Sequence, residues 1–200
     1  MLDDCANVNA GITGGGATVG AAYDFGSGFT AAFGLQTTET AVLTDESADA
    51  YALNAAYTAD SYGVSVTYGV VEGANASGVP TQEENTYTAL NAYYTPEGAL
   101  PSISVGYEVG DLGGEAKSAD EVTSFMIGLS WDEVGPGSAG LALGHSGTIE
   151  NADEEYQYEA YYSYPVNDGM TITPLIFTKD NATSGADDTT GVMVKTSFSF

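Results

Sequence analysis

The sequence predicts an all-β fold, a closed antiparallel transmembrane β-barrel, and three observations support this prediction. The chain ends in a segment whose apolar side chains recur at every second position. Similar alternating segments follow one another along the chain, separated by gaps that are short, then long, then short. No window approaches about 18 consecutive apolar residues, which excludes a transmembrane helix. A barrel is compatible with this pattern, because its strands alternate and show little net hydropathy.

The last segment, residues 191–200, carries the clearest signal. One face holds Val192, Val194, Thr196, Phe198 and Phe200, and the other holds Gly191, Lys195, Ser197 and Ser199, with Met193 as the exception. Chain termini usually fray in soluble domains, so a strand that runs to a final aromatic residue is unusual there. It is typical of the closing strand of an outer-membrane barrel. We therefore expect the outer-membrane barrel assembly machinery to recognise this strand.

Eleven segments show clear alternation, and each predicts a strand. In chain order they cover residues 19–25, 29–35, 51–57, 62–70, 88–95, 103–109, 125–131, 139–143, 156–164, 170–178 and 191–200. A weaker segment, about Cys5–Ile12, predicts one more strand before the Gly14-Gly15-Gly16 run. The sequence therefore predicts a barrel of about twelve strands, with both termini on the periplasmic side. Pro174 lacks a backbone donor, so we expect a bulge at that position.

The connections alternate in length. Short turns are predicted at Gly26-Ser27-Gly28, at Ala59-Asp60-Ser61, at residues 96–101 and 132–137, and at Asn167-Asp168-Gly169. Long loops are predicted at residues 38–49, 72–86, 110–120 and 147–154 and before the last strand. Short periplasmic turns and long extracellular loops are typical of outer-membrane barrels. The whole chain, residues 1–200, is then one barrel domain, or the carboxyl-terminal part of a longer porin.

The charge balance excludes several kinds of partner. The chain has 28 acidic and 3 basic residues, a formal net charge of −25. Nucleic acids and anionic membrane surfaces both require a basic patch, so neither is an expected partner. Most acidic residues fall in the predicted loops. They either form a solvated surface or attract cations to a pore mouth. No cofactor and no dedicated metal site are expected, and loose Ca²⁺ bridging is the one metal interaction that these acidic loops would allow.

No arrangement of residues predicts an enzyme. His145 is the only histidine, and we expect it to be a polar residue at a loop edge, since no catalytic partner is spaced near it. Cys5 is the only cysteine and has no basic neighbour to lower its pKa. Gly14-Gly15-Gly16 lacks the Lys-Ser/Thr of a phosphate loop. Residues 180–185 lack the acid spacing of a calcium-binding loop.

The alternation assigns side chains to the two surfaces of the barrel. Polar residues expected to line the pore are Asp24, Gln36, Glu108, Gln157, Glu159 and Lys195. Aromatic residues beside the short turns are expected to face lipid as a girdle at the periplasmic interface, namely Tyr23, Phe25, Phe29, Tyr57, Tyr62, Tyr94, Trp131, Tyr162, Tyr164, Phe198 and Phe200. A slip of one residue in register would move each side chain to the opposite surface.

The carboxyl end resembles a known family. Residues 161–174 (YYSYPVNDGMTITP) and 195–200 (KTSFSF) are similar to the end of cyanobacterial outer-membrane porins of the carbohydrate-selective-porin-like family. The resemblance implies a location in the cell outer membrane and passive diffusion of small solutes or ions. Full-length members carry an amino-terminal S-layer-homology domain, which this sequence does not show, so attachment to peptidoglycan is not implied.

Three functions fit the sequence. The first is an outer-membrane porin for small solutes or ions, with a preference for cations because the predicted lumen has more acids than bases. The second is a structural or adhesive barrel with a plugged lumen, since barrels of intermediate size need not be open. The third is a soluble acidic β-domain, which would bury the same aromatic residues in its core. The oligomeric state does not follow from the sequence.

Overall fold

The computed structural model describes residues 17–37, 49–74, 80–113, 120–181 and 187–199. Within them the chain forms eleven strands. They are β1 (Ala17–Gly26), β2 (Phe29–Thr37), β3 (Asp49–Thr58), β4 (Tyr62–Ala74), β5 (Pro80–Tyr94), β6 (Ser102–Asp111), β7 (Glu121–Val134), β8 (Gly137–Ile149), β9 (Tyr156–Asn167), β10 (Met170–Lys179) and β11 (Thr189–Phe198). The all-β prediction is confirmed. In this part of the chain no helix has the length and apolar character needed to cross a membrane.

The strands form a single sheet in sequence order, each antiparallel to the next. Strands β1 and β11 are the two edges of this sheet, so the described residues do not form a closed barrel. The predicted additional strand at about Cys5–Ile12 lies outside the described residues, as does Phe200. All eleven strands predicted as clear from alternation are present.

Short turns and longer connections alternate as predicted, which gives the sheet a short-turn end and a long-loop end. At the first turn, Gly26, Ser27 and Gly28 have φ values of 78°, 54° and 86°. The next turn lies against it, because Thr58 N donates to Gly28 O at 2.9 Å. At the long-loop end, strands β4 and β5 extend to Ala74 and from Pro80, so most of the loop predicted at residues 72–86 is strand instead.

Pro174 causes no bulge, and that prediction is wrong. Ile172 lies opposite Tyr164 and Leu175 opposite Tyr161, so the register between β10 and β9 is the same on both sides of the proline. The shift in this pair of strands falls instead between Met170 and Thr171, next to the turn. Pro174 loses only one backbone donor, and the neighbouring strands on both sides keep β10 in line.

The register separates the side chains into two faces that continue across the sheet. On the first face, here called the outer face, Leu53 lies opposite Phe33 and Tyr68, and Ala55 lies opposite Val66. On the second, the inner face, Asn54 lies opposite Ala32 and Thr67. The outer face is aliphatic and aromatic, whereas the inner face consists mainly of Gly, Ala, Ser, Thr and Asn. The period of two in the sequence specifies this division.

The described residues form one layer and have almost no conventional core. The hydrophobic cluster of buried residues consists of Tyr87 and Val122, with Val71 and Leu112 against it. By contrast, large apolar side chains along the outer face are exposed, including Leu53, Leu90 and Ile176. A soluble sandwich would cover such a face with a second sheet. The described part of the chain supplies no second sheet.

Aromatic rings on the inner face lie over glycines of the neighbouring strand. In four directly opposed pairs, a Cβ added to the glycine would fall 2.3–2.4 Å from the nearest ring carbon. The pairs are Gly63 with Tyr93, Gly110 with Tyr87, Gly140 with Tyr161, and Gly191 with Phe177. Each ring covers the backbone that its glycine leaves bare, which fixes the position of the ring and the register of the two strands.

Candidate membrane surface and inner-face channel

Aromatic side chains on the outer face cluster at the short-turn end. The Phe29 and Tyr57 rings lie 4.6 Å apart, and the Tyr57 and Tyr62 rings lie 5.9 Å apart, between centroids. Tyr23 and Phe25 meet edge to face at 4.8 Å and are 65% and 66% exposed. Neighbouring turns thus place a continuous group of solvent-accessible rings along one end of the sheet.

The other predicted girdle residues occupy the same face. Tyr62 lies opposite Tyr94, and Trp131 lies in β7 opposite Ala139 of β8. Tyr162 belongs to β9, and its hydroxyl donates to the carbonyl of Val134 at 2.8 Å. Tyr94, Tyr164 and Phe198 are exposed. Phe200 lies outside the described residues.

A second row of aromatic residues, which the sequence reading did not identify, crosses the outer face nearer the long-loop end. It repeats the first row six residues away along four strands. The matched pairs are Tyr51 with Tyr57, Tyr68 with Tyr62, Phe125 with Trp131, and Tyr158 with Tyr164. At about 3.4 Å per residue, the rows are about 20 Å apart along the strands. In the sequence, aromatic residues six positions apart within a single strand are the signal that identifies this second row.

The band between the rows is apolar. Val64 and Val66 lie between Tyr62 and Tyr68, and Ile127 and Leu129 lie between Phe125 and Trp131. A shallow groove of about 530 Å³ opens on this band. Its outer-face lining includes Ile127, Leu129, Leu141, Leu143, Tyr158 and Ile176. An apolar band between two aromatic rows is the arrangement of a lipid-facing barrel surface.

His145 is buried and does not lie at a loop edge, so that prediction is wrong. It belongs to β8 and is 6% exposed. Its ring packs edge to face against Phe125 at 4.8 Å and Tyr156 at 5.8 Å. Its Nδ1 lies 3.1 Å from the Thr148 hydroxyl. His145 lies directly opposite Phe125 in β7 and Tyr156 in β9, and a pattern within one strand does not reveal such partners.

The register places all six predicted pore-lining residues on the inner face, but they do not form one group. Asp24 lies at the short-turn end, where its carboxylate accepts from Gly26 N at 2.8 Å. Gln36 is buried near the long-loop end of β2. Gln157 lies between Gly144 and Lys179 of the flanking strands.

Glu108 is fully buried. It lies between Ala89 and Ser124, and all three residues are 0% exposed. Tyr87, Val122 and Met126 on the same face are also buried. We call this group, Tyr87, Ala89, Glu108, Val122, Ser124 and Met126, the buried inner patch. It occupies the long-loop half of β5, β6 and β7, where a carboxylate is removed from water.

Glu159 and Lys195 line the same cavity. Strands β7 to β11 supply the lining of a space of about 650 Å³ on the inner face. We call it the inner-face cavity. It is lined on this face by Met126, Gly128, Ser130, Ser138, Ala142, Glu159, Tyr161, Ser163, Thr173, Leu175, Phe177, Met193 and Lys195. Met193, the exception in the alternation of the last strand, contributes its side chain here. The volume is in the range of small-molecule sites.

Acidic residues do not form a metal site within the described residues. No group of three or more His, Cys, Asp or Glu side chains could hold an ion there. In the same part of the chain, the Lys179 ammonium forms an ion pair with the Glu155 carboxylate at 2.9 Å. Four acidic residues of the predicted loops, Glu39, Asp45, Glu46 and Glu115, lie outside these residues, and Ca²⁺ bridging by the loops is untested.

Comparison with known proteins supports the fold. No protein-family model matches the chain, and no curated protein matches it. A solved porin structure matches with a TM-score of 0.65 and 22% sequence identity. The alignment covers 90% of this chain and 60% of the porin, so the chain spans about three fifths of that protein's length. At this level of identity the match shows a porin-like fold, and the resemblance to the cyanobacterial family remains a prediction.

Proposed function

We propose that this chain forms an outer-membrane porin through which small solutes or ions diffuse passively. The observation that carries the proposal is the division of the sheet into two faces. The outer face is an exposed apolar band between two aromatic rows, and the inner face is built from small and polar side chains around a cavity. A sheet that has lipid against its outer face and water against its inner face accounts for the composition of both faces.

Closure into a barrel of about twelve strands is part of this proposal, because an unpaired edge is not tolerated in lipid. The additional strand predicted at about Cys5–Ile12 would pair with an edge of the sheet. A longer chain that supplies further strands would satisfy the same need, and the partial coverage of the similar porin fits this alternative. Recognition of β11 by the outer-membrane barrel assembly machinery belongs to the same proposal.

The pore would prefer cations. Within the described residues, the inner face carries Asp24, Glu108 and Glu159 against the unpaired ammonium of Lys195 and the ion-paired Lys179. Acidic residues predicted in the loops would add to the negative potential at the mouth. Of the three acids, Glu159 lines the inner-face cavity, so its charge would act most directly on a passing ion.

Reconstitution into a planar bilayer tests the proposal. Protein refolded in detergent should migrate as a heat-modifiable species and give stepwise conductance with a cation-selective reversal potential. The heat-denatured protein from the same preparation is the matched control. A folded, heat-modifiable protein that gives no conductance steps would contradict the pore.

A structural barrel with a filled lumen is the second candidate, and the buried inner patch favours it. Ala89, Glu108 and Ser124 have no exposed surface although they lie on the inner face of a single-layer sheet. A lumen covered over this half would conduct poorly. The same bilayer recording separates the candidates, since a filled barrel would be folded and membrane-bound without conductance.

A further inference from the structure

The inner-face cavity holds two opposite charges that do not neutralise each other. Glu159 lies in β9 between Ala142 and Phe177, and Lys195 lies in β11 opposite Thr173. Both side chains line the cavity and both reach solvent. No ion pair joins them, whereas Lys179, outside the cavity, is paired with Glu155. Within the described residues, the cavity therefore presents an available carboxylate and an available ammonium at two separate points.

The separation of these charges selects the length of a ligand. Glu159 lies opposite Phe177 and Lys195 lies opposite Thr173, four positions earlier along β10. With about 3.3 Å per residue and two strand spacings of about 4.8 Å, the Cα atoms lie about 16 Å apart along the sheet. Three extended residues span about 10 Å, so a short peptide together with the reach of the two side chains can bridge a separation of this order. The ammonium and carboxylate of a free α-amino acid are attached to one carbon and lie much closer together.

Hydroxyl groups level with Lys195, and aromatic rings nearer Glu159, offer contacts to a chain with polar atoms along its length. Ser138, Ser163 and Thr173 form a row of hydroxyls across neighbouring strands, which ends at Lys195. Thr173 Oγ1 donates to Ser163 Oγ at 3.1 Å. Beside this row, the rings of Tyr161 and Phe177 are held over Gly140 and Gly191. Hydroxyls can exchange hydrogen bonds with amide groups, and fixed rings offer flat apolar contact.

We propose that the inner-face cavity binds short peptides in their zwitterionic form, with the amino terminus at Glu159 and the carboxyl terminus at Lys195. This inference rests on the proposed function, since it assigns a solute class to the same channel. Glu159 and Lys195 both reach solvent, so each peptide terminus would keep part of its hydration when bound. The peptide would therefore bind weakly enough to leave again, as permeation requires.

Equilibrium binding tests this proposal independently of conduction. The probes are triglycine, N-acetyltriglycine, which lacks the ammonium, and triglycinamide, which lacks the carboxylate. Titration of the refolded protein in detergent, followed by NMR chemical shifts, should show triglycine bound about fivefold more tightly than either blocked peptide. Glu159→Gln and Lys195→Met should each lower triglycine affinity by a similar factor. The matched control is Lys179→Met, which removes an ammonium outside the cavity and should leave triglycine affinity unchanged.

The charge-exchanged variant, Glu159→Lys with Lys195→Glu, keeps both charges and should bind triglycine in the reverse orientation with near-normal affinity. Equal affinities for the three peptides, or losses in Lys179→Met as large as in Lys195→Met, would overturn the peptide site. Bilayer recording of the same samples reports on the pore itself. Triglycine binding without conductance would reject the pore and support the peptide site. Conductance without selective triglycine binding would support the pore and reject the peptide site.

Discussion

The ring of Tyr161 in β9 lies directly over Gly140 in β8, so closely that a Cβ on Gly140 would fall 2.3 Å from the Tyr161 Cε1 atom. The hydroxyl oxygen would lie 2.7 Å from that Cβ, so the part of the ring that carries the hydroxyl group covers the glycine. The ring is thereby held against the sheet and presents its other side to the inner-face cavity. The same relationship recurs at Gly191 and Phe177 two strands away.

Gly140→Ala should destabilise the protein by about 1–3 kcal/mol, because the added methyl displaces the Tyr161 ring from its packed position. In a Tyr161→Ala background the same substitution should stabilise by about 0.5–1 kcal/mol, since alanine is less flexible than glycine in a strand. Urea unfolding in detergent micelles measures both values. A substitution effect of the same sign in both backgrounds would show that ring and glycine are not coupled.

Gly28→Ala should cost about 3 kcal/mol or more, because the residue has φ of 86° and its Cβ would fall 2.1 Å from the Thr58 carbonyl oxygen. That oxygen belongs to the backbone of the adjacent turn and cannot move without disturbing the Thr58 N to Gly28 O hydrogen bond. Gly26→Ala is the matched control. It has φ of 78° and nothing within 4 Å of the added Cβ, so it should cost only about 1 kcal/mol of backbone strain.

Thermal unfolding of the two variants under the same conditions makes this comparison. Equal losses would mean that only backbone conformation matters at this turn. A larger loss for Gly28→Ala would show that the backbone of the first turn is packed too closely against Thr58 to accept a side chain.

Strands and faces could be predicted from the sequence because both depend on one local property, the alternation of side chains at period two. Val64, Val66 and Tyr68 identify a strand and its apolar face without knowledge of any partner. The inner-face cavity could not be predicted in this way. Phe177 and Gly191 are 14 positions apart in the sequence, and only the register of β10 with β11 places one over the other. The position of Glu108 in the buried inner patch likewise depends on strand register, because Ala89 and Ser124 are its neighbours only in the folded sheet.

Val66→Lys should destabilise the membrane-inserted protein by about 2–4 kcal/mol, because Val66 lies in the apolar band between the two aromatic rows on the proposed lipid-facing surface. Ser65→Lys, one residue earlier and on the inner face, should have a much smaller effect. Urea unfolding from phospholipid vesicles measures both. Val66 is already 41% exposed, so in a water-soluble protein a lysine at this position would cost almost nothing, and equal small effects would reject the lipid-facing assignment.

Glu159→Gln should lower the cation-to-anion permeability ratio of the pore more than Glu108→Gln does. Glu159 lines the inner-face cavity and reaches solvent, whereas Glu108 is 0% exposed in the buried inner patch, away from a passing ion. The Debye length is about 10 Å at 0.1 M salt and about 3 Å at 1 M, so the difference should be largest at low salt. Reversal potentials measured across a salt gradient give the ratio for each variant. If Glu108→Gln had the larger effect, the ion path would run along the buried inner patch, and an anion-selective unmodified protein would overturn the proposed sign of the lumen charge.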